Sequence, residues 1–169
     1  FCTSIYFRKA EHIHLILNNG PYRARYEPNF KEALNPGRYV ALAFLARSYH
    51  ESVKNPNAFV LRQFKVGDTD EEFVDLSKPM LFYSRPKGMY EGEDAQNLLF
   101  DFYPVNAKIG PDDYKVRVTV NGEKEFVVEE WKAYVLEGLP MGENSIKIEL
   151  LDSSGNTVQG AFTSETREI

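Results

Sequence analysis

Short runs in which apolar and polar side chains alternate recur along the chain, and turn residues separate them. They are strand-length segments bounded by Gly, Pro, Asn or Asp: 12–17, 38–46, 59–66, 97–103, 115–120, 125–128, 145–151 and 163–169. Because successive side chains of a strand point to opposite faces, a period of two predicts β-strands. No convincing amphipathic helix accompanies these runs, so the pattern predicts an all-β protein.

An internal repeat is the most informative feature of the sequence. Three pairs of segments match at an offset near 103 residues: HLILNNG (14–20) with VRVTVNG (116–122), LNPGRYVALAFL (34–45) with LPMGENSIKIELL (139–151), and AFVLRQFKV (58–66) with AFTSETREI (161–169). In both copies an Asn-Gly turn follows the first strand, and this dipeptide favours a tight hairpin. Short strands at this spacing indicate a sandwich, so we predict two tandem immunoglobulin-like β-sandwich units.

The repeat also predicts where the units begin and end: a first unit at 1–67, an acidic linker at 68–78 and a second unit at 79–169. The second copy is preceded by the strand-like run 97–103, whereas only residues 1–11 precede the first copy. The first unit is therefore expected to lack N-terminal strands. Either the native protein is longer at its N-terminus or a partner completes the unit, since an uncovered sheet face or open edge is a site for association.

Several long strings resemble a known protein family. They are HIHLILNNGPY, YVALAFLARSYHESVK, VLRQFKVG, KPMLFYSRPKGMYEGEDA, LLFDFYPVN, EGLPMGENSIKIELLD and GNTVQGAF, and together they extend over residues 12–169. The chain resembles secreted or lipid-anchored proteins, found mainly in Bacteroidetes-type bacteria, that carry tandem immunoglobulin-like units. The resemblance implies a periplasmic or envelope-associated protein, and an outer-membrane lipoprotein in particular. It further implies a scaffold or accessory subunit of a larger envelope complex.

Two properties of these relatives are not supported by the residues themselves. Some relatives carry the label "phosphopeptide-binding protein", but the chain has no arginine cluster of the kind that phosphate recognition needs. Relatives also carry a lipid-modified cysteine, whereas Cys2 here is not the first residue. A lipid anchor at or before the N-terminus is therefore implied by the resemblance alone, and it is the single membrane contact that we expect.

Composition narrows the classes of partner. The formal net charge is −5, and this acidic excess argues against nucleic-acid binding, which needs a basic patch or stripe. No run approaches the roughly 18 consecutive apolar residues of a membrane span. The chain has a single cysteine, so an intrachain disulfide is impossible.

The three histidines are the residues with the clearest chemical potential. His12 and His14 are two apart on a predicted strand and therefore share a face. His50 follows the strand 38–49, and antiparallel pairing would bring the end of that strand beside the start of the first. Three neutral imidazoles would then converge and suit Zn²⁺ or Cu²⁺. Tyr49 and Glu51 are candidates for further ligands, or for partners that orient the ligands.

Two other interpretations of the histidines stay open. They are either a backbone-bonded pair beside an ordinary loop residue, or part of a ligand site that holds no metal. The second copy has Lys115 or Val116 in place of His14, and Gly155 near the place of His50. The histidines therefore belong to one unit and are not a requirement of the fold.

The loop formed by Arg47, Ser48, Tyr49, His50 and Glu51 is the predicted ligand or partner site, because binding residues concentrate on loops of a rigid scaffold. No nucleophile elbow or oxyanion hole accompanies its serines, so we predict no catalytic residues and no enzyme activity. The leading interpretation is a non-catalytic extracytoplasmic binding or scaffold module that has a protein partner and no cofactor. The alternative is a Zn- or Cu-binding protein that uses His12, His14 and His50.

Overall fold

The computed structural model describes residues 11–169, and this part of the chain confirms the predicted all-β class. A single 3₁₀ turn lies at Gly92–Ala95, and no helix in this part has the length and apolar character needed to span a membrane. The predictions for Cys2 and the N-terminal segment lie outside the described residues. The strands are β1 His12–Leu17, β2 Arg23–Arg25, β3 Gly37–Ala46, β4 Phe59–Val66, β5 Met80–Arg85, β6 Asn97–Val105, β7 Lys115–Val120, β8 Lys124–Val128, β9 Tyr134–Glu137, β10 Ser145–Leu151 and β11 Ser164–Glu168.

The described strands form three antiparallel sheets. The first sheet has the order β2-β1-β3-β4, the second sheet has the order β11-β10-β7-β8, and the middle sheet has the order β5-β6-β9. The two four-stranded sheets share one topology, because β8-β7-β10-β11 repeats β2-β1-β3-β4. The repeat found in the sequence is therefore present in the sheets.

Matching hydrogen bonds align the two copies residue by residue. The side-chain oxygen of Asn18 accepts the Val40 amide at 2.7 Å, and that of Asn121 accepts the Ser145 amide at 2.8 Å. Both asparagines have positive φ angles, 49° and 52°. Asparagine tolerates this conformation better than most residues, which explains its place in both turns.

The middle sheet lies between the other two sheets and is buried on both faces. Alternate side chains of β5 point in opposite directions: Phe82 packs with the first sheet, and Tyr83 packs with the second. Side chains of β6 alternate in the same way. Tyr103 packs in the core between the first and middle sheets, which we call the first core, and Phe102 packs in the core between the middle and second sheets, the second core. The first sheet thus has its inner face covered by strands that the sequence assigned to the second unit. The boundaries 1–67, 68–78 and 79–169 stay a prediction.

The two repeats turn opposite faces toward the middle sheet. When Asn18 is aligned with Asn121, Leu15 corresponds to Val118 and Leu17 to Val120. The valines are buried against the middle sheet, whereas the leucines face away from it and line a cavity with Phe30. Within the described residues this outer face is only partly covered, and Leu45 on it is 50% exposed. The expectation that the first unit lacks N-terminal strands stays a prediction.

Two polar side chains tie the three sheets together at one end. The side chain of Asn19 donates to the Leu81 carbonyl at 3.1 Å and accepts the Tyr83 amide at 2.8 Å, like a residue in a β-ladder. Arg167 of β11 is buried, and its guanidinium donates to carbonyls of the β1–β2 turn and of β5, including those of Gly20 and Tyr83. These bonds satisfy backbone groups that would otherwise be buried without partners.

Candidate metal centre

The strand register brings the three histidines together as the sequence predicts. β1 and β3 are antiparallel, and His12 lies opposite Ala46, the last residue of β3. The loop that follows β3 therefore starts beside the beginning of β1, and it carries His50. His12 and His14 share the inner face of β1 with Ile16, so their rings lie at the end of the first core.

Three ring nitrogens lie within hydrogen-bonding distance of one another. The Nε2 atom of His12 is 2.9 Å from Nδ1 of His50 and 3.0 Å from Nε2 of His14, and the third side of the triangle is 3.3 Å. The ligand atoms of this group are thus close enough to share one metal ion. Zn–N bonds of about 2.0–2.1 Å place tetrahedral nitrogens about 3.3 Å apart, so little rearrangement is needed.

Hydrogen bonding alone cannot satisfy this triangle. Each imidazole nitrogen is either a protonated donor or a bare acceptor, and two of any three must be of the same kind. At least one of the three contacts therefore joins two donors or two acceptors. A cation placed between three bare nitrogens removes the conflict, because each nitrogen then directs its lone pair at the ion.

Burial keeps the central histidine in the neutral form that a metal requires. Desolvation, with smaller contributions from His12 and His50, lowers the pKa of His14 to about 2. The Nδ1 atom of the same ring is buried and has no hydrogen-bond partner in the described structure. A neutral, buried imidazole with its Nε2 atom in the cluster is a ready metal ligand.

Aromatic rings hold the imidazoles in position. Tyr22 stacks on His14 with ring centroids 3.6 Å apart and planes at 9°, and Phe44 meets the same ring edge-on at 5.4 Å. Tyr26 packs on His12 at 4.7 Å. Burial raises the pKa of Tyr22 to about 12, so its hydroxyl stays neutral and supports the ligands by packing. Neither tyrosine was predicted as part of the site, because neither lies in a metal-binding pattern.

The backbone of His50 is in the left-handed region, at φ 72°. The same loop recurs in the second copy: the Arg47 amide donates to the Glu51 carbonyl at 2.8 Å, as the Asp152 amide does to Asn156. The residue equivalent to His50 in that loop is Gly155, at φ 85°. Histidine thus occupies a position where the other copy has glycine, and strained non-glycine residues concentrate at functional sites.

The structural alignment corrects one equivalence drawn from the sequence. We matched His14 with Lys115 or Val116, but aligning Asn18 with Asn121 places Arg117 at the position of His14. Arg117 forms an ion pair with Glu149 at 3.0 Å on the outer face of the second sheet. A one-residue shift changes the face of a strand, which is why the sequence match was misleading.

The remaining residues of the predicted loop do not join the metal cluster. Tyr49 donates to Glu51 at 2.6 Å, and Arg47 lies 3.9 Å from the same carboxylate. The metal-ligand group found among the described residues contains the three histidines without Glu51. Ser48 is exposed. These residues form the outer rim of the loop, and their predicted role as a ligand or partner site stays a prediction.

A buried carboxylate anchors the loop from below. Asp101 of β6 accepts the Ser52 amide at 3.2 Å and the Ser52 hydroxyl at 3.0 Å, and it forms an ion pair with Lys54. Ser52 is two residues after His50, so this network fixes the loop to the middle sheet. No sequence pattern predicts this contact, because it joins a loop of the first sheet to a strand of the middle sheet.

Comparisons with known proteins add little. No protein-family model matches the chain, and no curated protein matches it. Among solved structures, the chain is similar to the fibronectin(III)-like modules of Clostridium thermocellum CbhA, with 15% identity and a TM-score of 0.41. The alignment covers 99% of this chain and 80% of that chain. Membership in a Bacteroidetes-type family stays a prediction.

Proposed function

We propose that the protein is a β-sandwich module that binds one Zn²⁺ or Cu²⁺ ion through His12, His14 and His50. The triangle of ring nitrogens carries this proposal, because no protonation pattern satisfies all three of its contacts. The buried neutral ring of His14 and the left-handed backbone of His50 support it independently. This was the alternative interpretation of the sequence, and the geometry favours it over a site without metal.

The donor set restricts the metal. Three imidazoles without thiolate or carboxylate suit Zn²⁺ and copper, whereas Mg²⁺ and Ca²⁺ prefer oxygen ligands. Three protein ligands leave at least one position of a tetrahedral ion for water or another donor. The protein residues would bind and orient the ion, and Tyr22 and Phe44 would shield it from solvent.

The cellular setting belongs to the same proposal. The family resemblance favours a periplasmic or envelope-associated module that works with a protein partner and carries out no catalysis itself. A metal held between β1 and the loop after β3 would then stabilise the loop in one conformation. The loop residues Arg47, Ser48 and Tyr49 would present a fixed surface to that partner.

The test is metal binding by the full chain after treatment with a chelator. Zn²⁺, Cu²⁺ and Co²⁺ are titrated separately by calorimetry, and native mass spectrometry gives the stoichiometry. We expect one ion per chain, and an intense Co²⁺ visible spectrum typical of tetrahedral coordination. The variants His12→Ala and His14→Ala should lose more than the roughly 10–100-fold in affinity that removal of a ligand-supporting group costs.

Lys115→Ala is the matched control, because Lys115 occupies the position of His12 in the second copy. It should bind metal like the wild-type protein. If Zn²⁺ and Cu²⁺ fail to bind, or if the His12→Ala/His14→Ala double variant binds as tightly as the wild type, the proposed function is wrong.

A further inference from the structure

The two sheets of the second core do not match in width. The second sheet has four strands and the middle sheet has three, and β8 is an edge strand of the second sheet. Phe126 of β8 pairs with the buried Val118 and therefore faces inward, yet it is 45% exposed. A cavity of about 520 Å³ lies between β8 and β9, lined by Phe126, Val120, Leu136 and neighbouring residues. We call this cavity the β8–β9 slot.

One wall of the slot is a strand edge. Among the described strands, β9 pairs with β6 alone, so its second edge has no strand partner, and residues of β9 line the slot. Tyr134 and Leu136 of β9 pack against the second core. Neighbouring strands lie about 4.8 Å apart, and one added strand beside β9 would therefore lie over the inner face of β8. An extended segment fits this place, because its backbone would pair with the free edge of β9 while its side chains cover Phe126.

The surroundings of the slot are strongly acidic. Six glutamates and two lysines lie between residues 123 and 143. Glu123, Lys124 and Glu137 line the slot itself and all three are exposed, so the lining has one negative charge in excess. One of the two lysines, Lys132, is engaged by Glu130 at 2.7 Å. A segment that docks here therefore gains from positive charge and is repelled if it is acidic.

A second cavity extends the slot. It has a volume of about 500 Å³ and shares Leu139 and Pro140 with the first. Met89 and Met141 lie beside it, 84% and 82% exposed. Methionine side chains are flexible and polarizable, and they adapt to different apolar partners. Large exposed apolar residues around one groove are typical of an interaction site.

We propose that the β8–β9 slot binds an extended basic segment of a partner protein, which adds to β9 as a fourth strand of the middle sheet. Its backbone pairs with β9, and every second side chain is apolar and packs on Phe126 and Val120. Its basic side chains point outward, toward Glu123 and Glu137. This mode is β-strand addition, in which the main chain supplies affinity and alternate side chains supply specificity. The site is independent of the histidine cluster, which lies on the first sheet.

The test uses the full chain and defined peptides. A fluorescein-labelled nonapeptide of alternating lysine and valine is compared with a peptide in which glutamate replaces lysine, and with one that has a central proline. We expect anisotropy to report binding of the lysine peptide, weakened by salt, because exposed charges are screened. The glutamate and proline peptides should not bind. NMR shift changes should concentrate on the amides of β8 and β9.

Matched charge reversals locate the binding. Glu123→Lys combined with Glu137→Lys should weaken binding of the lysine peptide by about tenfold or more. Asp70→Lys combined with Glu72→Lys changes the net charge equally on an exposed segment outside the slot, and it should leave binding within about twofold of the wild type. Phe126→Ser removes apolar contact at a half-exposed position, so the variant should fold normally, as circular dichroism checks, and bind the peptide more weakly.

Several results would overturn the proposal. They are equal binding of the lysine and glutamate peptides, equal effects of the two double variants, or shift changes outside β8 and β9. Failure of the lysine peptide to bind would also count against it. A stable dimer that the peptide does not displace would instead make a second copy of the chain the occupant, and the proposal would be wrong.

Discussion

At residue 50 the loop requires a left-handed backbone but does not require a histidine side chain. The loops after β3 and β10 have the same hydrogen bonds, and Gly155 adopts the required φ without steric strain. The first copy has His50 at that position, although a non-glycine residue there costs about 1–2 kcal/mol. The first copy keeps this conformational cost at His50, whereas the second copy avoids it with Gly155. The imidazole of His50 therefore has a role beyond forming the loop.

Exchanging these two residues tests that inference. His50→Gly should leave the stability of the metal-free protein within about 1 kcal/mol of the wild type, because relief of strain offsets the greater freedom of the unfolded chain. The variant should lose the stabilisation that Zn²⁺ gives the wild type. Urea unfolding with chelator and with added Zn²⁺ measures both quantities.

Gly155→His is the matched control for the exchange. No atom lies within 4 Å of a Cβ placed on Gly155, so the cost of the substitution is conformational rather than steric. It should destabilise the protein by about 1 kcal/mol and leave Zn²⁺ binding intact. A Zn²⁺-dependent shift that survives in His50→Gly would show that His50 is not a ligand.

Residue patterns predicted that the three histidines converge, but not what surrounds them. His12 and His14 follow from strand periodicity, and His50 follows from antiparallel pairing, because both rules are local or nearly so. Tyr22 and Asp101 were not predicted, since their contacts depend on how separate segments pack in three dimensions. Glu51 was expected near the metal, but it is engaged by Tyr49 and Arg47 instead.

At the scale of elements, the strand β6 links the middle sheet to the loop that carries His50. Asp101 of β6 is fully buried, and its carboxylate holds the backbone amide and hydroxyl of Ser52. The ammonium group of Lys54 compensates the negative charge of Asp101, and part of the Lys54 side chain stays in solvent. Because Ser52 follows His50 closely, the position of one imidazole depends on a strand of another sheet. Asp101 is thus a positioning residue for the candidate site.

Asp101→Asn should therefore affect both folding and the metal site. Removing one partner of a buried ion pair typically costs about 3 kcal/mol, and partial exposure of Lys54 reduces that figure. We expect a loss of about 2 kcal/mol in the free energy of unfolding, and Zn²⁺ affinity about tenfold weaker. Chemical denaturation of the metal-free protein and calorimetric titration measure the two effects separately.

Ser52→Ala distinguishes positioning from general destabilisation. It removes the hydrogen bond that the hydroxyl donates to Asp101 and the one that it accepts from Lys54, and it keeps both charges, so its effect on stability should be about 1–2 kcal/mol. Its effect on Zn²⁺ affinity should be smaller than that of Asp101→Asn and in the same direction. If Asp101→Asn lowers stability but leaves the affinity for Zn²⁺ unchanged, the loop does not depend on this anchor.

Strand periodicity explains how much of the element scale was predictable. In β7 the sequence KVRVTV alternates, because one face packs on the middle sheet and the other meets solvent. In β1 the sequence HIHLIL loses its alternation after His14, since the middle sheet covers one face and the segment near Phe30 covers part of the other. Both patterns predict strands, but only the first shows which face is inward.

At the scale of the whole molecule, the middle sheet makes the two repeats share their cores. The repeat predicted the topology of both four-stranded sheets correctly. It could not show that they present opposite faces to a common layer, because that choice depends on contacts between layers and not on strand order. Trp131 lies against both cores, and its indole nitrogen donates to the Phe102 carbonyl at 3.0 Å. Trp131 therefore forms a direct packing contact between the first core and the second core.

This connection predicts that the protein unfolds as one unit. Far-UV circular dichroism and the fluorescence of Trp131 should give coincident transitions, which is the test of two-state behaviour. In the proposed site Zn²⁺ would contact the first sheet and its loop alone, yet it should shift the whole transition, because binding to the native state stabilises every part that unfolds with it. Two tandem units joined by a flexible linker would instead show two transitions, with Zn²⁺ moving one of them.

Arg167 provides the variant that tests the connection. Arg167→Leu leaves buried carbonyls of the β1–β2 turn and of β5 without their donor, and should cost about 3 kcal/mol. Arg117→Leu removes an arginine from β7, two strands away in the same sheet, whose ion pair with Glu149 is more exposed, so its cost should be below about 1 kcal/mol. If Arg167→Leu lowers the midpoints of both signals together, the three sheets form one cooperative structure. If the two signals separate in the wild-type protein, the units fold independently and the shared middle sheet does not couple them.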